Sequence, residues 1–148
     1  MIDLSNDPRF LSGVIPSANV IVTARDIATF YQCLLDGGDG PDGRVFREET
    51  VTRALQADRT DLPFDRMLGV PLRYSTGFML GTPTVSIYGW NQPRAFGHLG
   101  LSNSFTWADP DRELVVAILT TGKPFLGPHL PSLFLLMGEI QRAFPPVR

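Results

Sequence analysis

The chain has one cysteine, two histidines, no basic cluster and no long apolar run. Each shortage excludes something. Cys33 alone cannot build a disulfide framework and offers no metal-ligand spacing. Set among Tyr31, Leu34 and Leu35, it reads as a small buried hydrophobe. His98 and His129 are too few and too isolated for a zinc site, and no cofactor of any kind is expected. Lys and Arg number 13 against 15 Asp and Glu, a formal charge of −2. No basic stretch interleaves with aromatics, so nucleic acid and anionic membrane are poor partners. No run approaches the ~20 apolar residues that span a bilayer, and the most apolar patch, 133–137, falls far short. The first eight residues have neither the basic start nor the apolar stretch of a secretion signal, so the cytoplasm is the default expectation. There are no internal repeats and no low-complexity segments.

What remains is 148 residues, one domain's worth, able to bury roughly two-thirds of its unfolded surface. Residues 1–22 are mixed and turn-rich. Thr23-Ala24-Arg25-Asp26 then reads as a capping box, with the acid beside the positive end of a helix dipole. Ile27, Phe30, Tyr31, Leu34 and Leu35 follow as one apolar stripe, and Gly37-Gly38 ends the helix. Asp39-Gly40-Pro41-Asp42-Gly43 is a turn cluster. Glu48 and Glu49 open a shorter helix to about Gln56. These neighbours point about 100° apart on a helix, so they suit the dipole better than an acid/base pair. Residues 58–71 are polar and irregular, an excursion expected near the mouth of a cleft.

Residues 72–80 pattern as a strand interrupted at Gly77, and 85–88 as a second short strand, with 89–93 a loop. Phe96-Gly97-His98-Leu99-Gly100-Leu101-Ser102-Asn103-Ser104 leads into Phe105-Thr106-Trp107-Ala108, the turn Asp109-Pro110-Asp111-Arg112 and a second apolar run. That is a hairpin whose first strand carries a histidine between glycines, where something is expected to approach the backbone closely. A terminal helix over 132–143 places Leu133, Leu136, Met137 and Ile140 on one face and ends before Pro145-Pro146. The pattern is α+β: an antiparallel sheet of three to four strands with a helix packed on one face.

Acyl transfer needs a nucleophile, a base within hydrogen-bond reach and donors aimed at the oxyanion. No serine has the S-x-x-K spacing that puts a lysine one helical turn away. Gly100-Leu101-Ser102-Asn103-Ser104 approaches the G-x-S-x-G elbow, but its last position is serine and it enters a strand where the elbow enters a helix.

Several stretches, in order, resemble the C-terminal half of the serine β-lactamase-related hydrolases. They are Ile15-Pro16-Ser17-Ala18-Asn19, Thr23-Ala24-Arg25-Asp26-Ile27-Ala28, Leu34-Leu35-Asp36-Gly37-Gly38, Phe96-Gly97-His98-Leu99-Gly100 and Ala108-Asp109-Pro110. That family holds class C β-lactamases, penicillin-binding carboxypeptidases and many esterases. Thr120-Thr121-Gly122-Lys123-Pro124 is similar to its actinobacterial esterase/lipase branch. In the family the strand beside the nucleophile carries K-[ST]-G, or H-x-G in esterase-like members, and His98-Leu99-Gly100 matches the latter. The resemblance implies that His98 lines the cleft near the substrate's carbonyl or leaving group. It implies that Gly100 lets substrate lie along the strand, and that the Leu101 N–H is one of two oxyanion donors. Leu99, Ser102 and Asn103 would touch an ester or amide substrate. Relatives often have a further glycine where Ser102-Asn103-Ser104 stands here.

The family's S-x-x-K and Y-x-N motifs lie upstream of the Ile15 motif and are absent from this chain. Tyr31, Tyr74 and Tyr88 are followed at the third position by Cys33, Thr76 and Trp90. The whole chain, 1–148, is therefore expected to be one partial domain, inactive alone, that self-associates or pairs with a missing N-terminal half because a sheet edge is left open. Two other readings stay open. One is a non-catalytic binding or oligomerisation module on the same fold; the other makes Ser102 or Ser104 an unusual nucleophile.

Overall fold

A computed structural model describes residues 6–15, 19–58, 61–66, 69–100, 102–121, 127–128 and 130–147. In chain order the elements are α1 (Pro8–Ser12), α2 (Ala24–Leu35), β1 (Asp39–Gly40), β2 (Gly43–Arg44), α3 (Glu48–Leu55), β3 (Phe64–Asp65), β4 (Val70–Pro71) and β5 (Arg73–Tyr74). Then come β6 (Met79–Leu80), β7 (Val85–Ser86), β8 (Gly89–Trp90), β9 (Phe96–Leu99), β10 (Phe105–Asp109), β11 (Leu114–Ile118) and α4 (Leu130–Ala143). The principal sheet is antiparallel, in the order β11-β10-β9-β6-β5.

The capping box at the start of α2 forms in both directions: Thr23 Oγ1 accepts from the Asp26 N–H, and the Thr23 N–H donates to the Asp26 carboxylate. These bonds hold the Asp26 carboxyl below the usual carboxylate range. Gly37 and Gly38 end the helix at φ +67° and +105°, and a Cβ on Gly38 would strike the Phe46 carbonyl. Tyr31, Cys33 and Leu34 are buried. Burial, and secondarily the charges of Asp36 and Asp39, push the Cys33 thiol up.

Two features differ from the sequence pattern. The sheet has five strands, because 72–80 is a hairpin, not one interrupted strand: Arg73 pairs with Leu80 and Tyr74 with Met79. The chain reverses where Ser75 Oγ accepts from the Phe78 N–H at 3.1 Å. Helices also cover both faces of the sheet. On one side α2 brings Tyr31 and Leu34 against Leu80, Phe96 and Ala108. On the other, α4 brings Met137 against Leu99, Phe105, Trp107 and Tyr88. All five residues of β10 are consequently buried, as befits a strand covered on both sides. Leu133, Met137 and Ile140 of α4 face that core, whereas Leu136, assigned to the same stripe, is exposed. Residues 85–88 do not join the five-stranded sheet; among the described residues β7 pairs with β8 alone, and Gln141 of α4 donates to the Tyr88 carbonyl at 3.0 Å.

The two edges of the sheet are finished differently. At β5, Ala57 bridges Ser75 and the Asp58 N–H donates to the Tyr74 carbonyl at 2.9 Å. Tyr74 also donates its hydroxyl to Asp65 at 2.8 Å. At β11, no described segment pairs with the outer side.

Candidate functional site

β9 and β10 pair in the register Phe96↔Ala108, Gly97↔Trp107, His98↔Thr106, Leu99↔Phe105. The connection is a tight loop. Gly100 N–H donates to the Ser104 carbonyl at 2.8 Å, and Asn103 N–H donates back to the Gly100 carbonyl at 2.9 Å. Asn103 sits at φ +59° with its side chain buried, a backbone region asparagine tolerates better than most residues. Thr120 Oγ1 donates to the Ser102 carbonyl at 2.8 Å, tying the loop to the chain beyond β11.

His98 is the one exposed residue of β9. Its Nδ1 lies 3.1 Å from the Leu99 carbonyl oxygen. A carbonyl can only accept, so in this contact Nδ1 carries a hydrogen and donates it. Directly paired residues share a face, so Thr106 stands beside His98 on the α2 side of the sheet. Tyr31, whose ring stacks on Phe96 at 6.1 Å, is also on that side. Burial raises the Tyr31 phenol, and a hydrogen bond with Thr106 partly opposes the shift. Neither Thr106 nor Tyr31 was singled out from sequence. Thr106 could have been found only by knowing the loop length that sets the register, and Tyr31 reads simply as part of an apolar stripe.

The glycines flanking His98 have an internal explanation. A Cβ on Gly97 would collide with the Thr106 carbonyl and the Trp107 backbone, so what approaches closely is β10 itself. A Cβ on Gly100 would lie 3.2 Å from the Ser104 carbonyl, a tight contact that the loop also accounts for. Ser102 and Ser104 lie in a loop joining two strands, not at a strand-to-helix turn, so the nucleophile-elbow geometry is not formed. Leu99 is buried against the α4-side core; its carbonyl, not its side chain, meets the imidazole. Leu101, His129 and Gly122-Lys123-Pro124 lie outside the described residues. Among the described residues no three His, Cys, Asp or Glu side chains gather as metal ligands. A shallow depression of about 240 Å³, lined by Thr50, Arg53, Ala54 and Thr76, shares no residue with the His98 loop.

Residues 2–132 match the family described as Beta-lactamase. The chain belongs to the beta-lactamase family. This beta-lactamase-family chain is 35% identical over 109 residues to the esterase/beta-lactamase LipL of Mycobacterium tuberculosis, covering 74% of the chain and 24% of that protein. It is 28% identical over 121 residues to a putative D-alanyl-D-alanine carboxypeptidase of Escherichia coli, covering 82% of the chain and 25% of that protein. A crystal structure of a family VIII carboxylesterase superposes with a TM-score of 0.75 at 25% identity, over 95% of the chain and 37% of its own length. The chain thus spans about a quarter of the length of the curated relatives it matches. No described helix is long and apolar enough to cross a membrane.

Proposed function

We propose that this chain is the C-terminal portion of a serine hydrolase that cleaves small ester or amide substrates through an acyl-enzyme, supplying one wall of the cleft and not the nucleophile. The observation that carries the reading is His98, exposed on an otherwise buried strand with its imidazole held by the Leu99 carbonyl through Nδ1. In this reading 1–148 is one partial domain. His98 accepts a hydrogen bond near the substrate's carbonyl or leaving group, Gly100 keeps the strand end open, and the Leu101 N–H is one oxyanion donor. Leu99 and Asn103, whose side chains are buried, offer a substrate only backbone atoms, and Ser102 lies beside them. The seryl oxygen and its lysine and tyrosine partners lie outside these 148 residues, since neither S-x-x-K nor Y-x-N occurs among them. Oxyanion stabilisation alone gives at most a small residual catalysis over water.

The test is a nitrophenyl-ester assay on the purified chain, alone and mixed with the N-terminal portion of LipL. The expected result is no saturable hydrolysis alone, hydrolysis on mixing, and a roughly hundredfold loss of the restored rate with His98→Ala, the low end for a side chain acting on a proton in the transition state. Saturable turnover by the chain alone, with fluorophosphonate labelling of Ser102 or Ser104, would refute it.

A further inference from the structure

We infer that Thr120 is a positioning residue: its hydroxyl fixes the loop between β9 and β10 in the shape that presents backbone N–H groups to a developing oxyanion. The inference rests on the reading above that this loop belongs to the oxyanion wall of the cleft, and it names the side chain that holds that wall still.

The loop is first closed by its own backbone. Gly100 N–H donates to the Ser104 carbonyl at 2.8 Å, and Asn103 N–H donates to the Gly100 carbonyl at 2.9 Å. Asn103 stands at φ +59°, so a turn over 100–103 is followed by a left-handed residue, a common three-residue hairpin connection. Such a turn uses its first carbonyl and its fourth N–H, which leaves the amides of its two central positions for other partners. Donors of that kind act on an oxyanion when they are held in place before the reaction starts. Both closing bonds lie within the loop, however, so neither fixes its tilt against the sheet.

Thr120 supplies that fixation. The β10–β11 ladder ends at Phe105↔Ile118, and Thr120 follows just past the end of β11. Its Oγ1 donates to the Ser102 carbonyl at 2.8 Å, across 18 residues of sequence. Ser102 is a central residue of the turn, so this bond holds the tip of the loop and not its neck. The anchor is firm: β11 pairs along its whole length with β10, whose five residues are all buried. The Ser102 carbonyl and the Asn103 N–H also belong to one peptide group. Accepting from Thr120 polarises that group and strengthens the bond it donates to Gly100.

The experiment compares Thr120→Val, which keeps the shape and removes the hydroxyl, with Thr120→Ser, which keeps the hydroxyl. On the chain alone, NMR order parameters at Ser102 and Asn103 should stand near the rigid-backbone value of ~0.85 and drop toward ~0.6 in Thr120→Val. Trp107 should not change, and Thr120→Ser should resemble the parent. In the mixture with the LipL portion, Thr120→Val should lower kcat roughly tenfold, less than deleting an oxyanion donor outright. KM should stay within about twofold, and Thr120→Ser should recover most of the rate. If Thr120→Val fails to fold by circular dichroism, Thr120→Ala takes its place with the same readings. Loop order parameters equal to the parent's, a loss confined to KM, or no recovery with serine overturns the inference. Restored hydrolysis that Thr120→Val leaves intact sinks the positioning role and spares the function. Absence of hydrolysis on mixing sinks the function, and the order parameters then decide by themselves whether Thr120 holds the loop.

Discussion

The two edges of one sheet are finished in opposite ways. β5 is two residues long, and its outer side is taken by Ala57, Asp58 and the Tyr74–Asp65 hydrogen bond. β11 is five residues long, apolar, and without a described partner on its outer side. An edge is a template for pairing unless something blunts it. The contrast separates an edge closed by its own neighbours from one with no described strand beside it. The closed edge is held by residues near in sequence, which travel with the strand they protect.

The sharpest way to break the comparison is at the root of the bare edge. Asp109 is fully buried at the turn into β11; its carboxylate accepts from Arg112 Nη1 at 2.8 Å and from the Asp111 N–H at 3.0 Å. Arg112→Ala leaves a buried carboxylate without its cation and should cost about 3 kcal/mol in urea unfolding at fixed protein concentration. A loss below about 1 kcal/mol, the range of an exposed pair, would mean that water reaches this turn.

At the covered edge the expected effect is smaller. Tyr74→Phe removes one side-chain hydrogen bond, worth about 1 kcal/mol. Burial first, and then Asp65, push the Tyr74 phenol up to about 12. A raised phenol means that the fold favours the neutral form. This contribution is therefore complete below the unfolded value near 10 and is lost as pH rises toward 12. Alkaline difference absorbance should show Tyr74 ionising late, and Tyr74→Phe should flatten the fall in stability across that window. Smallest of all is the central strand's exposed imidazole. His98→Ala should shift stability by less than about 0.5 kcal/mol, and long-range nitrogen–proton NMR should find the hydrogen on Nδ1. A larger loss would make His98 a structural residue and remove the contrast between a sealed strand and its one open position.

Much of this architecture was legible because its signals are local. Thr23 and Asp26 mark the start of α2, Gly37 and Gly38 its end, and Asp109-Pro110-Asp111-Arg112 the β10–β11 turn. The hairpin at 72–80 was not legible: alternation along a strand looks the same whether or not the chain reverses, and only the Ser75–Phe78 hydrogen bond reveals it. Cover on both faces was hidden too, since burial of β10 by α2 and α4 joins distant parts of the chain. His98 stands out in the sequence by its setting and is the exposed residue of its strand, but the reason given for Gly97 was incomplete. A glycine forced by an approaching ligand and one forced by a neighbouring strand leave the same mark in a sequence.

The run of β9, β10 and β11 has a kinetic consequence. These three strands are consecutive and joined by short connections, so their pairing needs little loop closure, whereas α2 must reach them from the far end of the chain. The meander can assemble early, around Phe105 and Trp107, while its outer strand still lacks a neighbour. A nascent chain then passes through a stage in which an apolar five-residue strand is formed before the helices that cover its faces have docked, the kind of exposed surface that favours precipitation.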